Sequence, residues 1–475
     1  MWSLLLKDGM QYEPVECIQP FTQKEWDEYP FAGEEKLKWF RDAKLGLFLH
    51  VGISALGKVD ISWSRHTHRL PDPGAGRIPD EEYDRWASEI KMEDFNADEW
   101  IDLAIAGGFK YIVVITKHHD GFHMWDTEYS DYKITNAPMG RDYIGELAEA
   151  CHRKNMPIGL YYSQRDWHHP DYEPVDVECA IRAPKPPFFE IKEGCVRQAG
   201  KNHKKYIEYM HNTVLELMEK YGRIDILWWD ACWYLTMFTE EMWDSFELEK
   251  KVREKQPHIL INNRASLPGD FDTPECRIGH VQRERAWETC MPLGNHWAWT
   301  GDGIKPFKTI VGQLVNTVCG DGNYLLSIGC MPNGKISPED TEGLLRLGEW
   351  MKKYGEAVYN TRSGPWNPGV FGGAVYRDDT VYVHIVNRPQ NGVLRLPLGE
   401  NRIKEIECLT GEAVEAGTAE NCLIIKVPDV EFDDLILKIR MENAVSVSVE
   451  GIDVQESECA GEEEFYSPFM LKKDE

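Results

Sequence analysis

The stretch Ile224-Asp-Ile-Leu-Trp-Trp-Asp230 decides the fold class of this 475-residue chain. It is a short apolar run that follows Tyr221-Gly-Arg223 and ends at a carboxylate, which is typical of a buried parallel strand. In sheets of this kind the functional side chains lie at the C-terminal ends of the strands. Asp230 is therefore a candidate catalytic residue, although an Asp at this point also commonly caps the following helix.

Further apolar runs of this kind alternate with helical patterns along the chain. We predict other strands at Leu45–Gly52, Tyr111–Thr116, Pro157–Ser163, His258–Arg264, Ala286–Cys290 and Asn323–Gly329. We predict helices at Asp98–Ala106, Gly145–Arg153, His203–Tyr221, Thr239–Glu254, Lys308–Val318 and Glu339–Tyr359. This alternation indicates βαβ units and a parallel sheet. We therefore predict an α/β fold, a (β/α)8-type TIM barrel in which one strand is not recognisable from the sequence.

The sequence changes character after residue 361. Short β-rich runs separated by turns, such as Thr380–Val386 and Cys422–Val427, predict an all-β sandwich over residues 362–454. Residues 1–361 then form the catalytic barrel with an N-terminal lead-in, and the acidic residues 455–475 form a surface tail. An irregular, proline-containing insertion is expected after the third strand, up to about residue 200.

Composition excludes several classes of function. The net charge of −27 argues against binding to nucleic acid or to an anionic membrane surface. No run approaches the roughly 18 apolar residues of a membrane span, and the N-terminus lacks the basic segment of a signal peptide. We therefore predict a cytoplasmic protein, or a secreted or periplasmic one if a leader has been removed. The 12 cysteines lack metal or disulfide spacing, and Cys151 and Cys319 fall in predicted helices as free thiols. We expect no cofactor and no metal.

Polar side chains follow nearly every predicted strand. The candidates of this kind are His50, His118, His119, Tyr161, Tyr162, Asp230, Asn263, Arg264 and Glu288. Hydrogen-bonding groups at so many strand ends favour a site for a polyhydroxylated ligand. Apolar faces for the C–H side of a sugar ring are expected from Trp228, Trp229, Trp287, Trp297 and Trp299. Trp63 lies in a long aromatic loop that is expected to be functional.

Glycoside hydrolysis requires two carboxyl groups that flank the scissile bond. Asp230 is the first candidate. For the second, the chain offers Glu275 in Gly269-Asp-Phe-Asp-Thr-Pro-Glu275 and Glu288 in Trp287-Glu-Thr. Glu275 lies on a loop that could swing over the site, and Glu288 is better anchored. Either residue could instead be a surface acid, so both possibilities stay open.

Several motifs follow one another in order over roughly residues 37–360. They include Trp39-Phe-Arg-Asp-Ala-Lys-Leu-Gly-Leu-Phe-Leu-His50, Lys117-His-His-Asp-Gly-Phe122, Gly159-Leu-Tyr-Tyr-Ser163, Leu227-Trp-Trp-Asp230, Gly269-Asp-Phe-Asp-Thr-Pro-Glu275 and Gly322-Asn-Tyr-Leu-Leu-Ser-Ile-Gly329. Together these motifs resemble those of glycoside hydrolase family 29, the α-L-fucosidases.

The resemblance implies a retaining exo-α-L-fucosidase that acts on fucosylated oligosaccharides or glycoconjugates. It implies Asp230 as the nucleophile and Glu275 as the acid/base, with Glu288 still a candidate. The two carboxyl groups should lie about 5–5.5 Å apart. The resemblance further implies that the sugar ring and its hydroxyls are held by His50, His118, His119, Tyr162, Trp228 and Arg264.

Three alternatives follow from the same residues. Val51 and the segment Ser64-Arg65-His66 depart from the family pattern, which leaves open a glycosidase for a related sugar such as an L-galactoside. A carbohydrate-binding homologue with weak catalysis is a second alternative, but no expected carboxylate is missing. A metal hydrolase, suggested by His118 and His119, is disfavoured because adjacent residues of a strand face opposite sides.

Overall fold

The computed structural model describes residues 23–65, 78–172, 180–182, 189–191, 202–230, 243–265, 267–278 and 281–454. The helices are α1 Gln23–Glu28, α2 Glu34–Ala43, α3 Ser54–Gly57, α4 Asp80–Arg85, α5 Ala97–Ala106, α6 Tyr143–Lys154, α7 His203–Lys220, α8 Ser245–Lys255, α9 Phe307–Cys319 and α10 Pro338–Tyr354. No helix within these ranges combines the length and the apolar content needed to cross a bilayer. The expected acidic tail and most of the lead-in and insertion lie outside the described residues.

In the described part of the chain, the strands fall into one parallel sheet and three antiparallel ones. They are β1 Leu45–Leu49, β2 Tyr111–Lys117, β3 Ile158–Ser163, β4 Ala180–Arg182, β5 Phe189–Ile191, β6 Ile226–Asp230, β7 Leu260–Ile261, β8 Glu288–Pro292, β9 Asn323–Ile328, β10 Arg362–Ser363, β11 Gly372–Arg377, β12 Thr380–Ile385, β13 Val393–Pro397, β14 Ile403–Cys408, β15 Glu415–Ala419, β16 Cys422–Lys426 and β17 Leu435–Met441. The parallel sheet has seven strands in the order β7-β6-β3-β2-β1-β9-β8.

Residues 270–276 join the two edges of this sheet. The amide of Asp270 donates to the carbonyl of Ile261 at the β7 edge over 2.6 Å. At the β8 edge, the amide of Cys276 donates to the carbonyl of Cys290 over 3.1 Å, and further single bridges run along the segment. The segment therefore takes the place of the strand that the sequence does not reveal, and the ring of a TIM-like barrel closes.

Two residues explain how the closing segment reaches β7. Gly269 has a φ of +61°, and a Cβ there would lie 2.4 Å from the carbonyl carbon of Asn262, so only glycine permits this approach. The buried carboxylate of Asp270 accepts hydrogen bonds from the amide of Ile261 at 2.8 Å and from Nη2 of Arg253 at 3.0 Å. The segment is thus fixed by side-chain contacts rather than by a regular ladder.

Strand alternation separates an inner from an outer layer of the barrel. All residues of β1, β2, β3 and β6 are buried, and successive side chains point to opposite sides of each strand. Phe48, Tyr161 and Trp228 pack together in the interior. Tyr162 and Trp229 belong to the layer between the strands and the helices. This division decides which side chains can reach a ligand inside the barrel.

Helix α6 shows why the helices form where the sequence predicts them. The side chain of Asp142 accepts a hydrogen bond from the amide of Gly145 at 2.9 Å, which caps the N-terminus. Asn155 ends the helix in the left-handed conformation, with a φ of 53°. The last turn carries His152, Arg153 and Lys154, whose positive charge suits the C-terminal end of the helix dipole.

The sequence predictions hold for most elements of the barrel, with differences at a few places. The strand expected at His258–Arg264 is only Leu260–Ile261, and the strand expected at Ala286–Cys290 begins at Glu288. The insertion after β3 was expected to be irregular, yet it contains the short antiparallel pair β4 and β5. Cys151 and Cys319 are buried free thiols in helices, as predicted.

The C-terminal part is a β-sandwich, as predicted. A five-stranded sheet, β10-β11-β12-β17-β14, faces a three-stranded sheet, β13-β16-β15. Their facing side chains, such as Val383, Leu396 and Ile425, form a separate apolar core. Val375 and Tyr382 instead pack with Cys319 of α9 in the outer layer of the barrel. The domain boundary after residue 361 stays a prediction.

His384 on β12 is buried where the sandwich meets the barrel. Its Nδ1 lies 2.7 Å from Oδ2 of Asp434, and its Nε2 lies 3.1 Å from the carbonyl oxygen of Ala357. Because both ring nitrogens face acceptors, only the doubly protonated imidazolium can donate to both. Burial by itself would lower the pKa of His384, but the Asp434 carboxylate outweighs burial and raises this pKa above its ordinary value.

We expect His384 to make the stability of the protein depend on pH. Because its pKa is raised in the folded state, its contribution to the free energy of unfolding is complete below an unfolded pKa of about 6.5. The contribution is lost as the pH rises through the folded pKa. His384→Asn should remove this component while its amide still reaches Asp434. Urea unfolding of both proteins from about pH 6 to pH 9 checks this, and identical pH profiles would contradict it.

Candidate active site

Asp230 is the last residue of β6, and donors from two neighbouring elements hold its carboxylate. Oδ1 accepts a hydrogen bond from Nη1 of Arg264 at 2.9 Å, and Oδ2 accepts one from the hydroxyl of Tyr161 at 2.6 Å. The residue is only 5% exposed. Since each oxygen has its own partner, the plane of the carboxylate is fixed at the C-terminal end of the barrel.

Arg264 connects Asp230 to a second carboxylate, that of Glu275. Nη1 of Arg264 lies 2.9 Å from Oδ1 of Asp230 and also 2.9 Å from Oε2 of Glu275. The two oxygens are therefore no farther apart than twice that distance. The side chain of Glu275 is 28% exposed against 7% for Asp230, so Glu275 lies on the solvent side of the pair.

The position of Arg264 is itself fixed by contacts around the guanidinium. Its Nε donates to the hydroxyl of Thr273 and its Nη2 to the carbonyl of Thr273, both at 3.0 Å. The guanidinium carbon lies 4.7 Å from the centre of the Trp228 ring, a cation–π contact. Nη1 contacts both carboxylates.

Three histidines face Asp230 or each other, and a serine orients each of them. Nδ1 of His50 lies 2.7 Å from the hydroxyl of Ser327, Nδ1 of His118 lies 2.5 Å from Ser62, and Nδ1 of His119 lies 2.5 Å from Ser163. These bonds fix each ring and turn its Nε2 away from the serine. Burial lowers the pKa of His50 to about 3, so this ring is neutral.

Indole rings border the same space. Trp63 lies in a short 3₁₀ turn, with its ring centre 5.1 Å from that of His119. Trp297 lies on the other side, 5.2 Å from the ring of His50. Trp228 forms the inner wall and stacks on Tyr161 at 5.7 Å. Of the tryptophans expected from the sequence, Trp228 and Trp297 thus border the polar groups. Trp229 lies in the outer layer instead, and Nε1 of Trp287 donates to the carbonyl of Gly320.

The structure brings Tyr161 rather than Tyr162 to the site. Tyr161 pairs with Trp228 across the β3–β6 ladder, and both point into the barrel. The hydroxyl of Tyr162 instead bonds to Thr213 of α7 at 2.8 Å, on the outer side of the strand. Burial and the neighbouring Asp230 raise the pKa of Tyr161 well above its ordinary value, so its phenol stays protonated and donates. The expectation for Tyr162 is therefore wrong.

Tyr161→Phe should lower kcat by about 10- to 100-fold, because one oxygen of Asp230 loses a charge-assisted hydrogen bond. Tyr162→Phe is the matched control, since it removes a buried hydroxyl from the next residue on the outer face. We expect the control to lower the melting temperature but to change kcat by less than about twofold. Steady-state kinetics of the two variants decide the point. A larger loss of kcat in Tyr162→Phe would contradict this assignment of the two side chains.

Glu288, the alternative partner of Asp230, lies at the opposite end of the barrel. It is the first residue of β8, and it is completely buried. Oε1 accepts a hydrogen bond from Nε1 of Trp228 at 2.9 Å, and Oε2 accepts one from the hydroxyl of Tyr111. Burial raises its pKa to about 7. Glu288 therefore lies beneath Trp228, at the N-terminal ends of the strands, and does not meet Asp230 and Glu275.

His118, His119 and Asp230 are close enough to be considered as ligands of a cation. One donor atom from each lies within 4.8 Å of the others. The expectation that the adjacent histidines face opposite ways is wrong, because both follow the last residue of β2, where strand alternation ends. Their ring centres are 3.9 Å apart. Arg264 and Tyr161 already bond to the two oxygens of Asp230, so a cation would have to compete with both.

Known proteins match this chain over most of its length. The sequence model of the alpha-L-fucosidase family matches residues 18–356. The plasma alpha-L-fucosidase of Homo sapiens is 29% identical over 400 residues, which cover 75% of this chain and 78% of that protein. The tissue alpha-L-fucosidase of Bos taurus is 27% identical over 410 residues, with 81% and 82% covered.

A solved structure extends this similarity to the fold. Alpha-L-fucosidase isoenzyme 1 from Paenibacillus thiaminolyticus is 30% identical and superposes with a TM-score of 0.72. The match covers 87% of this chain and all of that one. The resemblance predicted from the motifs around Asp230 is thereby confirmed. Because the family model spans well over half of the sequence, this protein belongs to the α-L-fucosidase family of glycoside hydrolases.

Proposed function

We propose that this protein is a retaining, exo-acting α-L-fucosidase that removes terminal fucose from oligosaccharides or glycoconjugates. The placement of Asp230 and Glu275 on one guanidinium nitrogen is the observation that carries this proposal. Retaining glycosidases hold their two carboxyl groups about 5–5.5 Å apart. The upper limit set by the two contacts with Arg264 accommodates that separation.

In the first step, an oxygen of Asp230 forms a bond to the anomeric carbon of fucose while the bond to the leaving oxygen breaks. Protonated Glu275 transfers its proton to that oxygen. A carboxylic acid keeps one oxygen as an acceptor, so protonated Glu275 can still contact Nη1 of Arg264. Tyr161 and Arg264 keep the attacking carboxylate in one orientation.

In the second step, the Glu275 carboxylate takes a proton from water as the water oxygen attacks the anomeric carbon. The bond from that carbon to Asp230 breaks, and fucose leaves with its original configuration. The partial exposure of Glu275 supports this role, because a water molecule can approach it from solvent. The buried Asp230 is suited to the covalent role instead.

We further propose that the three histidines bind the hydroxyls of fucose. Each imidazole has a fixed orientation through its serine, so its Nε2 presents a defined hydrogen-bonding direction. Trp63, Trp228 and Trp297 supply apolar surface around the same space. Together these side chains provide the polar contacts that the hydroxyls at the edge of a pyranose require and the apolar contacts that one of its faces requires.

Release of 4-nitrophenol from its α-L-fucoside tests the proposal, with the β-D-galactoside as the control for configuration. Proton NMR of the first product formed should show the α-anomer of L-fucose, because two displacements restore the configuration. Cleavage that yields the β-anomer first would overturn the retaining mechanism. Failure of the folded protein to cleave nitrophenyl or natural fucosides would overturn the assignment as a fucosidase.

A second candidate is a glycosidase for a related sugar, and a pocket beside the histidines favours it. The pocket is bordered by His50 and His118 and by Val51 and Ser62, two small side chains. The cavity of about 10 Å³ admits about one water-sized group, such as the additional hydroxyl of L-galactose. A higher kcat/KM for the 4-nitrophenyl α-L-galactoside than for the α-L-fucoside would establish this candidate in place of the first.

A further inference from the structure

Two consecutive tryptophans of β6 each donate to a buried glutamate, one on each side of the strand. Nε1 of Trp228 donates to Oε1 of Glu288 at 2.9 Å, and Nε1 of Trp229 donates to Oε1 of Glu249 at 3.0 Å. A tyrosine hydroxyl donates to the other oxygen of each carboxylate. Burial raises the pKa of both glutamates to about 7.

Of these two tryptophan–glutamate pairs, only Trp228–Glu288 contacts the side chains that hold the catalytic carboxylates. The Trp228 ring contacts the guanidinium of Arg264 at 4.7 Å and stacks on Tyr161 at 5.7 Å. These two residues are the donors to the two oxygens of Asp230. Trp229 points outward, where Glu249 belongs to helix α8. One indole therefore supports both contacts of Asp230, and the other supports the helical layer.

We propose that Glu288 is a positioning residue for the fucosidase reaction, which acts on Asp230 through the indole of Trp228. The inference rests on the proposed function, since it concerns the alignment of the proposed nucleophile. Glu288 fixes the rotation of the ring by accepting its N–H from below, and the ring then fixes Arg264 and Tyr161. Glu288 takes no part in proton transfer to the substrate.

Without the Glu288 carboxylate, the indole of Trp228 would lose its hydrogen-bond acceptor. Nε1 of Trp228 would be buried without a partner, and the ring would turn toward another acceptor. A displacement of about 1 Å in groups that align a nucleophile can cost on the order of 10²-fold in rate. The substrate would still bind to the histidines, so the loss should fall on kcat rather than on KM.

The test compares substitutions at the two glutamates. Glu288→Leu removes the acceptor, and we expect kcat on 4-nitrophenyl α-L-fucoside to fall about 30- to 100-fold with KM within about threefold. Glu288→Gln keeps a carbonyl oxygen for the indole and should restore kcat to within about fivefold of wild type. Glu249→Leu is the matched control: it should lower the melting temperature similarly while kcat stays within about threefold.

Several results would overturn the inference. One is an equal loss of kcat in Glu288→Leu and Glu249→Leu, which would mean that both act through stability alone. Another is rescue of Glu288→Leu by azide, which would mark Glu288 as the acid/base. If Glu288→Leu does not fold, Trp228→Phe removes the same hydrogen bond. A kcat within about threefold of wild type in Trp228→Phe would then contradict the proposal. An inactive wild type would instead overturn the proposed function and this inference with it.

Discussion

Asp230→Asn should lower kcat on an α-L-fucoside by roughly four orders of magnitude or more, the scale seen when a covalent nucleophile is lost. The amide oxygen can still accept from Arg264 or Tyr161, so the fold should persist. It cannot form the ester on which the retaining pathway depends. Steady-state kinetics with melting temperatures for both proteins measure this effect.

Asp225→Asn is the matched control for this variant. Asp225 lies just before β6, at the opposite end of the barrel, and its carboxylate bonds to Nε of Arg223 at 2.7 Å. This change should reduce stability and leave kcat nearly unaltered. Azide adds a second check, because it should restore turnover of Asp230→Gly and give the β-linked fucosyl azide in one displacement. Retained activity of a tenth or more in Asp230→Asn would refute its role.

Glu275→Ala should affect glycosides according to how much their leaving group needs a proton. For natural oligosaccharides we expect kcat/KM to fall by about 10²- to 10⁴-fold, which is the usual contribution of a general acid. For 4-nitrophenyl α-L-fucoside the loss in the first step should be much smaller, since 4-nitrophenolate leaves without protonation. Azide should then speed the second step and give the α-linked product, because Asp230 is still present.

The comparison between substrates is the internal control for Glu275. A variant that is merely destabilised would lose activity equally on both glycosides. Glu288→Leu offers a second comparison, because a positioning residue should show neither the leaving-group dependence nor azide rescue. Equal losses on both substrates in Glu275→Ala, without azide rescue, would remove Glu275 from the mechanism.

The barrel strands could be predicted because each is a continuous apolar run that ends in polar residues. Strands β3 and β6 are buried throughout, and this burial requires such runs. The closing segment 270–276 has no pattern of this kind. It is held by contacts far away in sequence, such as the amide of Ala32 donating to Asp270 over 2.8 Å. The local sequence contains no pattern that identifies these distant partners. The eighth strand position of the barrel could therefore not be predicted.

The choice between adjacent tyrosines depended on the register of two strands. Asp230 and Trp228 are two residues apart and share a face of β6. The ladder pairs Ser163 with Asp230 and Tyr161 with Trp228, which places Tyr161 inside the barrel. Ser163, which pairs with Asp230, is the end of β3 that faces the site. Because side chains alternate along a strand, counting back from Ser163 would have favoured Tyr161 over Tyr162. The register that confirms it forms only when the strands pair.

The two candidate glutamates illustrate the same limit of sequence reasoning. Glu288 follows Trp287 in a strand and was expected to be well anchored, which is correct. It is anchored at the N-terminal end of β8, however, whereas the chemistry lies at the C-terminal ends. Glu275 reaches Arg264 from a segment with no regular pattern. The serines that orient the histidines were missed for a similar reason, since Ser62 and Ser327 are distant in sequence from their rings.

The most direct measurement is to trap the covalent intermediate with 2-deoxy-2-fluoro-L-fucosyl fluoride and to locate it by peptide mass mapping. Fluorine at C2 slows both steps, while the fluoride leaving group keeps the first step fast enough to accumulate the ester. We expect one fucosyl label per chain, on the peptide that contains Asp230, and no label on Asp230→Asn. A label on Glu275 or Glu288, or turnover of the reagent without any ester, would contradict it.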